Sequence, residues 1–300
     1  MPAAAEPVPP PSPGAGASLR FTVHAWRPAL RLLAMAAQVL NALNILQLAA
    51  LAFLVVFEGH EAPGPKRLLL QVAVFSLLPL ALEALLGWLT RGTLRVEHSQ
   101  LVLELRGVRF EIPPESIQDV ESWKLPLPGS GVTLRMKSGR RFQYGLQVDT
   151  PAVMLTAVVL TLPVAIPAAE HPGSWFGQAR HDWRRRFWDK PAFKLGLVPL
   201  IPAGIMFRAN QYITFGGPFG QYQMYGLGPY LESFALYWLA FLAGMVLFAS
   251  FWRVLAEFLA CAFTWLLPSR ALSVRRAAEW LCRLVYYAGI PAVLARFFLG

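Results

Sequence analysis

Glu83 is the one carboxylate well inside a long apolar run, and an ionisable group in such a run is a functional suspect by default. Helical rise puts it on the order of 10 Å from the nearer end of that run. If the runs 29–57 and 68–90 pack as an antiparallel pair, the facing level of the first holds Gln38. Gln38, Asn41, Asn44 and Gln47 form a drifting polar stripe suited to interhelical hydrogen bonds. Two readings follow for Glu83, Gln38 and Asn41: a proton relay, or a carboxyl bonded to a neighbouring helix. One acid with no partner series favours the second. A second chemical signal is Trp183-Arg184-Arg185-Arg186-Phe187-Trp188, with Lys190 close behind. Cations interleaved with aromatics suit anionic headgroups, the arginines on phosphate and Trp183 and Trp188 at the interface. The same segment read plainly is a topology anchor, or its arginines pair with Glu115, Asp119 or Glu121. Arg253 and Glu257, one helical turn apart, pair most simply with each other.

Most enzymatic constellations are missing from the sequence. The histidines His24, His60, His98, His171 and His181 share no helix-face spacing with a carboxylate or cysteine. Cys261 and Cys282 lie in or beside apolar stretches without metal-ligand spacing, and read as small hydrophobes. No GxSxG, P-loop or HExxH stretch occurs, and the glycines Gly216, Gly217, Gly220, Gly226 and Gly228 do not follow a strand and open a helix. The expectation is a non-enzymatic chain with no cofactor, no metal and no nucleic-acid partner. Ile213-Thr214-Phe215-Gly216-Gly217 has filter-like residues but no repeat around it.

Lipid is the solvent that would position these residues. Charged residues make up 15% of the 300 positions, where soluble domains run near 25%, and the deficit is concentrated in long uncharged runs. Residues 1–28 start with a Pro/Ala-rich stretch, Met1 to Ser18, that lacks the basic start of a secretory signal and reads as a disordered tail. Residues 29–90 form a transmembrane helical hairpin turned at Gly59, Pro63, Gly64 and Pro65. From Arg91 the period becomes two: Leu101, Leu103, Leu105; Val108, Phe110, Ile112; Val132, Leu134, Met136; Phe142, Tyr144, Leu146. That is an antiparallel sheet over about 93–147, followed by a helix opened by Asp149-Thr150-Pro151. Pro163 and Pro167 hold that helix to roughly a dozen residues, too short to cross comfortably. Further spans are expected at 193–207, 231–252 and 279–299, with 208–230 as an outer loop. Leu255–Leu267 either crosses or lies along the interface. The net charge of +10 fits an anionic membrane surface. With the N-terminus inside, five spans place 23 of the 27 Lys and Arg on the cytoplasmic side, which selects that orientation.

Residues 92–162 resemble the bacterial pleckstrin-homology-like (PH-like) domains of membrane proteins. The resemblance runs through Thr93-Leu94-Arg95-Val96, Gln100 to Leu105, Phe110-Glu111-Ile112-Pro113 and Glu115 to Val120. It continues through the Lys137-Ser138-Gly139-Arg140 turn and ends in the Asp149-led helix. It implies a bent sheet capped by one helix, and binding rather than catalysis. The first hairpin carries Arg95 and His98 but no Lys/Arg cluster across its turn, unlike phosphoinositide binders. The expected fold class is an α-helical integral membrane protein with an inserted small antiparallel β-sheet plus C-terminal helix, PH-like and cytoplasmic. The plan is a tail over 1–28, a membrane hairpin over 29–90 and the PH-like domain over 91–168. A basic aromatic linker follows over 169–192, and a C-terminal membrane region over 193–300. The expected role is docking a protein partner or lipid headgroups, with membrane lipids and a protein or a second copy as partners. The alternative is a small transporter or channel subunit.

Overall fold

The computed structural model describes residues 19–61, 63–97, 100–148, 150–161, 168, 170–183, 187–292 and 295. Its sheet is antiparallel and seven-stranded, in the order β4-β3-β2-β1-β7-β6-β5. The strands are β1 (Leu19–Trp26), β2 (Arg91–Glu97), β3 (Gln100–Leu105), β4 (Val108–Ile112), β5 (Ile117–Ser122), β6 (Gly131–Met136) and β7 (Arg141–Val148). β1 is the central strand, pairing Phe21 with Leu94 on one side and Ala25 with Leu146 on the other. It lies inside the 1–28 stretch expected to be tail, so that boundary is corrected. Leu19, Phe21, Val23 and Ala25 do alternate with Arg20, Thr22 and His24, but their partners lie at residues 91 and beyond.

Between β1 and β2, two adjacent strands, the chain leaves the sheet as a helical hairpin. One arm is α1 (Pro28–Phe57). The other is α2 (Pro65–Val72), a π-helical turn (Ala73–Leu77) and α3 (Leu78–Thr90). Arg27, in extended conformation, is the one residue between β1 and α1, Pro28 takes the first helical position, and Arg91 starts β2 where α3 ends. The connection between two paired strands is therefore itself a membrane-length hairpin, joined to the sheet without linkers. The joint is packed. Trp26, Ala34, Leu86 and Trp123 are buried together against Leu30 and Leu82. The Arg31 guanidinium stacks 3.6 Å from the centroid of the Trp123 ring, and Trp123 Nε1 donates to Thr133 Oγ1.

α4 (Pro151–Thr161) lays Met154, Leu155 and Val158 on the sheet core of Val23, Leu94, Leu103, Val132 and Leu146. This accounts for an apolar helix of 11 residues without any crossing. α5 (Pro172–Asp182) follows, capped by His171, whose Nδ1 accepts from the Gly173 N–H.

The remaining apolar helices differ from the expected spans. Among the described residues, four helices are long and apolar enough to cross a membrane: Pro28–Phe57, Lys66–Thr90, Ala192–Phe215 and Leu227–Leu266. The third combines a π-turn (Ala192–Leu197) with α6 (Leu200–Phe215), so 208–215 is helix where a loop was expected. Pro199 and Pro202 fall within its first turns, where a missing N–H costs little. After α7 (Gly220–Tyr225), α8 (Leu227–Leu266) runs 40 residues, about 60 Å, through both segments expected as separate. Arg253 does not end it because Glu257, four residues on, pairs with it at 2.7 Å. Of the fifth expected span, 279–299, the described residues form the end of α9 (Ala271–Leu284), a π-turn (Val285–Gly289) and a short continuation. Much of its last third falls outside the described residues.

Candidate functional site

α9 is amphipathic in an inverted sense. Arg275, Glu279 and Arg283, spaced i, i+4 and i+8 on one face, are all buried. Leu272, Trp280, Leu281 and Leu284 are exposed. An apolar helix face turned outward beside membrane-length helices is the arrangement of a segment solvated by lipid rather than water.

The buried row meets α8 in a four-membered ionic cluster. Arg275 donates to Glu257 at 2.8 and 3.0 Å and to Glu279 at 2.6 Å. Arg253 donates to Glu279 at 2.7 Å and pairs with Glu257 at the same distance. One turn further along α9, Arg283 grips Asp189 with two parallel bonds, from Nε and Nη2, the fork geometry that suits a carboxylate. Its guanidinium also lies 4.9 Å from the Trp183 ring centroid and 5.2 Å from that of Trp280. Tyr286, buried, donates to the Lys194 carbonyl at 2.6 Å, and the Lys194 ammonium sits 4.2 Å from its ring centroid.

Most of these groups wall a cavity of about 470 Å³ between α8, α9, Trp183 and the stretch from Asp189 to Leu195. Its cations are Arg180, Lys194, Arg253, Arg275 and Arg283, against the carboxylates of Asp189 and Glu279. It sits where α8 turns from Phe248 and Trp252 to Arg253 and Glu257, the level at which an apolar helix surface becomes ionic. The sequence reading paired Arg253 with Glu257 but missed Arg275, Glu279, Arg283 and Asp189 as their company. The signal available was the i, i+4, i+8 charge row on α9; its partners are 18 to 94 residues away.

The expected site residues are dispersed. Trp183 lines the cavity and stacks on Arg283. Lys190 is exposed, 5.7 Å from the Phe187 ring centroid. Trp188 lies in a single 3₁₀ turn, Phe187–Asp189. Arg184, Arg185 and Arg186 lie outside the described residues. In the hairpin, Gln38 Nε2 donates to Glu83 Oε1 at 2.5 Å and to the Pro128 carbonyl at 3.3 Å. Asn41 Oδ1 is buried without a hydrogen-bond partner among the described residues. A loop of the sheet thus reaches the level of Glu83, which lines an open cavity of about 420 Å³ with Gln147, Arg180 and His181. Further along, Asn44 donates to Ser76 Oγ at 2.9 Å and accepts from Gln71 at 3.0 Å, clasping the hairpin beside its π-turn.

Two features of the opposite end were not legible. Gln211 is fully buried and exchanges bonds with Gln221: Gln211 Nε2 donates to Gln221 Oε1 at 2.7 Å, and the Gln221 N–H donates back. Gln221 then reaches Ser233 Oγ at 2.8 Å, tying α6, α7 and α8 together. Among the described residues no three His, Cys, Asp or Glu side chains gather as a metal ion would require. No protein-family model, curated protein or solved structure matches the chain.

Proposed function

We propose that the chain is a multi-pass membrane protein that works by interaction rather than catalysis. Its sheet domain, similar to PH-like domains, is held at the cytoplasmic face and docks a protein partner there. The observation that carries this reading is the insertion of the membrane hairpin between the paired central strands β1 and β2. Load on the sheet passes directly into α1 and α3 through the Trp26–Trp123–Arg31 joint, with no flexible connection to absorb it. The sheet offers β4 as an edge strand. Its Arg109 and Glu111 are exposed, Val108 is half-exposed, and an edge of unpaired backbone groups is a template for an added strand.

Photo-crosslinkers placed singly at Val108, Arg109 and Glu111 in native membranes test this. The expected result is one discrete adduct from all three positions and none from Leu272 on α9. Lipid adducts alone from the β4 positions would refute the docking role. A second reading, a small transporter or channel subunit, has one observation in its favour, the cavity that reaches Glu83 from the sheet side. Ion or proton flux in proteoliposomes that disappears in Glu83→Gln would favour it over docking.

A further inference from the structure

The ionic cavity carries more positive charge than its own carboxylates neutralise. Glu257 and Glu279 are shared between Arg253 and Arg275, and Asp189 is held by Arg283. Among the described residues, no carboxylate lies within 4.0 Å of Arg180 or Lys194. Two donors are also left over. Arg275 Nε and Arg283 Nη1 are buried without a hydrogen-bond partner among the described residues, on residues 3% and 7% exposed. Buried guanidinium N–H groups without an acceptor are costly, and their uncompensated charge adds to the positive field behind the cavity wall.

An apolar groove lies on the other side of the buried Tyr286. Tyr286 also lines a groove of about 320 Å³, bounded by Val198, Ile201, Ile205, Met206 and Ile290. The groove follows the surface of α6, one of the membrane-length helices. A cationic chamber beside an apolar groove, with Tyr286 as their shared wall, matches an amphiphile with an anionic head and a hydrocarbon tail. A free phosphate would leave the groove uncovered. A zwitterionic lipid would bring a cation of its own to Lys194 and Arg180.

We propose that this cavity and groove form a specific site for one anionic phospholipid, its phosphate among Arg180, Lys194, Arg275 and Arg283 and one acyl chain along α6. The inference rests on the membrane reading above but not on the docking of a partner at β4. The site has the sidedness that anionic lipid recognition needs, with basic side chains between helices at one membrane boundary.

The test uses the full-length protein in mild detergent, with bound lipid measured by native mass spectrometry after exchange with phosphatidylglycerol, phosphatidylcholine or soluble glycerol 3-phosphate. Phosphatidylglycerol is expected to be retained about tenfold or more over phosphatidylcholine, and glycerol 3-phosphate is expected not to displace it. The pair of substitutions Lys194→Gln and Arg180→Gln is expected to lower retention by about tenfold. Lys194→Arg is expected to keep it, and Ile205→Trp, filling the groove, to reduce it with every cation in place. Equal retention of the two phospholipids would overturn the proposal. So would phosphatidylglycerol retention unchanged in the double variant, or displacement by glycerol 3-phosphate, which would assign the cavity to a soluble anion. Crosslinking at β4 is untouched by any of these outcomes, so failure of the lipid site and failure of the docking role are separable.

Discussion

Arg275→Ala probes the α8–α9 ionic cluster at its most buried member. The Arg275 side chain is 4% exposed and makes three charge-assisted bonds to two carboxylates. Removing one partner from a buried ion pair typically costs about 3–5 kcal/mol, because the other charge is left desolvated. Here Arg253 keeps its 2.7 Å contacts to both Glu257 and Glu279, so neither carboxylate is abandoned. That places the expected loss at the lower end, about 3 kcal/mol. In thermal unfolding of the purified protein in detergent, at roughly 2–4 °C per kcal/mol, Tm should fall by about 6–12 °C. Glu279→Gln alone should cost less, and the double variant should show a coupling energy of about 0.5–3 kcal/mol. Replacing Arg253, Glu257, Arg275 and Glu279 together by apolar residues of similar size should recover most of the loss, since an uncharged interface has nothing to desolvate. A loss from Arg275→Ala below about 1 kcal/mol, or strict additivity with Glu279→Gln, would refute the reasoning.

Three other perturbations follow from the geometry. A Cβ on Gly145 would lie 2.6 Å from the Trp123 ring, which is already stacked on Arg31; Gly145→Ala should cost about 1–3 kcal/mol and alter the near-UV signal of the joint. Gln211→Leu leaves the Gln221 Oε1 and backbone N–H without the partners they have in Gln211; limited proteolysis between Gly216 and Gly226 should accelerate, and stability should fall by about 1–3 kcal/mol. Burial and the nearby Lys124 lower the His171 pKa, so the folded state binds its proton less readily than the unfolded chain. The resulting loss of stability is absent above about pH 6.5, grows as pH falls below it, and is complete below the lowered folded value. Protonation also removes the acceptor that caps α5 and sits 5.3 Å from the Trp265 ring centroid. His171→Asn keeps a cap that does not titrate, so its melting temperature should lack the acid-side loss seen in the parent.

The legible parts of this fold were those whose signal is local. The hairpin arms announced themselves by uninterrupted length, and β3, β4, β6 and β7 by alternation over five to eight residues. β1 alternates as well as its partners do, but its neighbours are separated from it by the whole hairpin, and composition alone assigned it to the tail. α8 was split at Arg253 because a charge in an apolar run reads as a boundary; the pair with Glu257 that lets the helix continue is local, but its burial under α9 is not. The cavity was illegible because its cations come from α5, the π-turn before α6, α8 and α9, and each alone reads as an ordinary boundary charge. The Gln38–Glu83 contact sits at the opposite extreme, since an antiparallel hairpin with a short turn places facing levels by counting.

The threading of the hairpin between β1 and β2 imposes an order on biogenesis. β1 leaves the ribosome first and has nothing to pair with until β2 follows, by which time both arms of the hairpin have been made. A nascent β1 is therefore an open strand waiting across an insertion event, and its register with β2 can close only when the two hairpin ends return to the same face. On the membrane reading proposed above, closure of the sheet becomes a readout of correct insertion. On that reading, a hairpin left half-threaded would hold β1 and β2 on opposite sides of the bilayer and leave β7 without its central neighbour. Such a chain would expose unpaired strand edges, which are prone to aggregation and proteolysis.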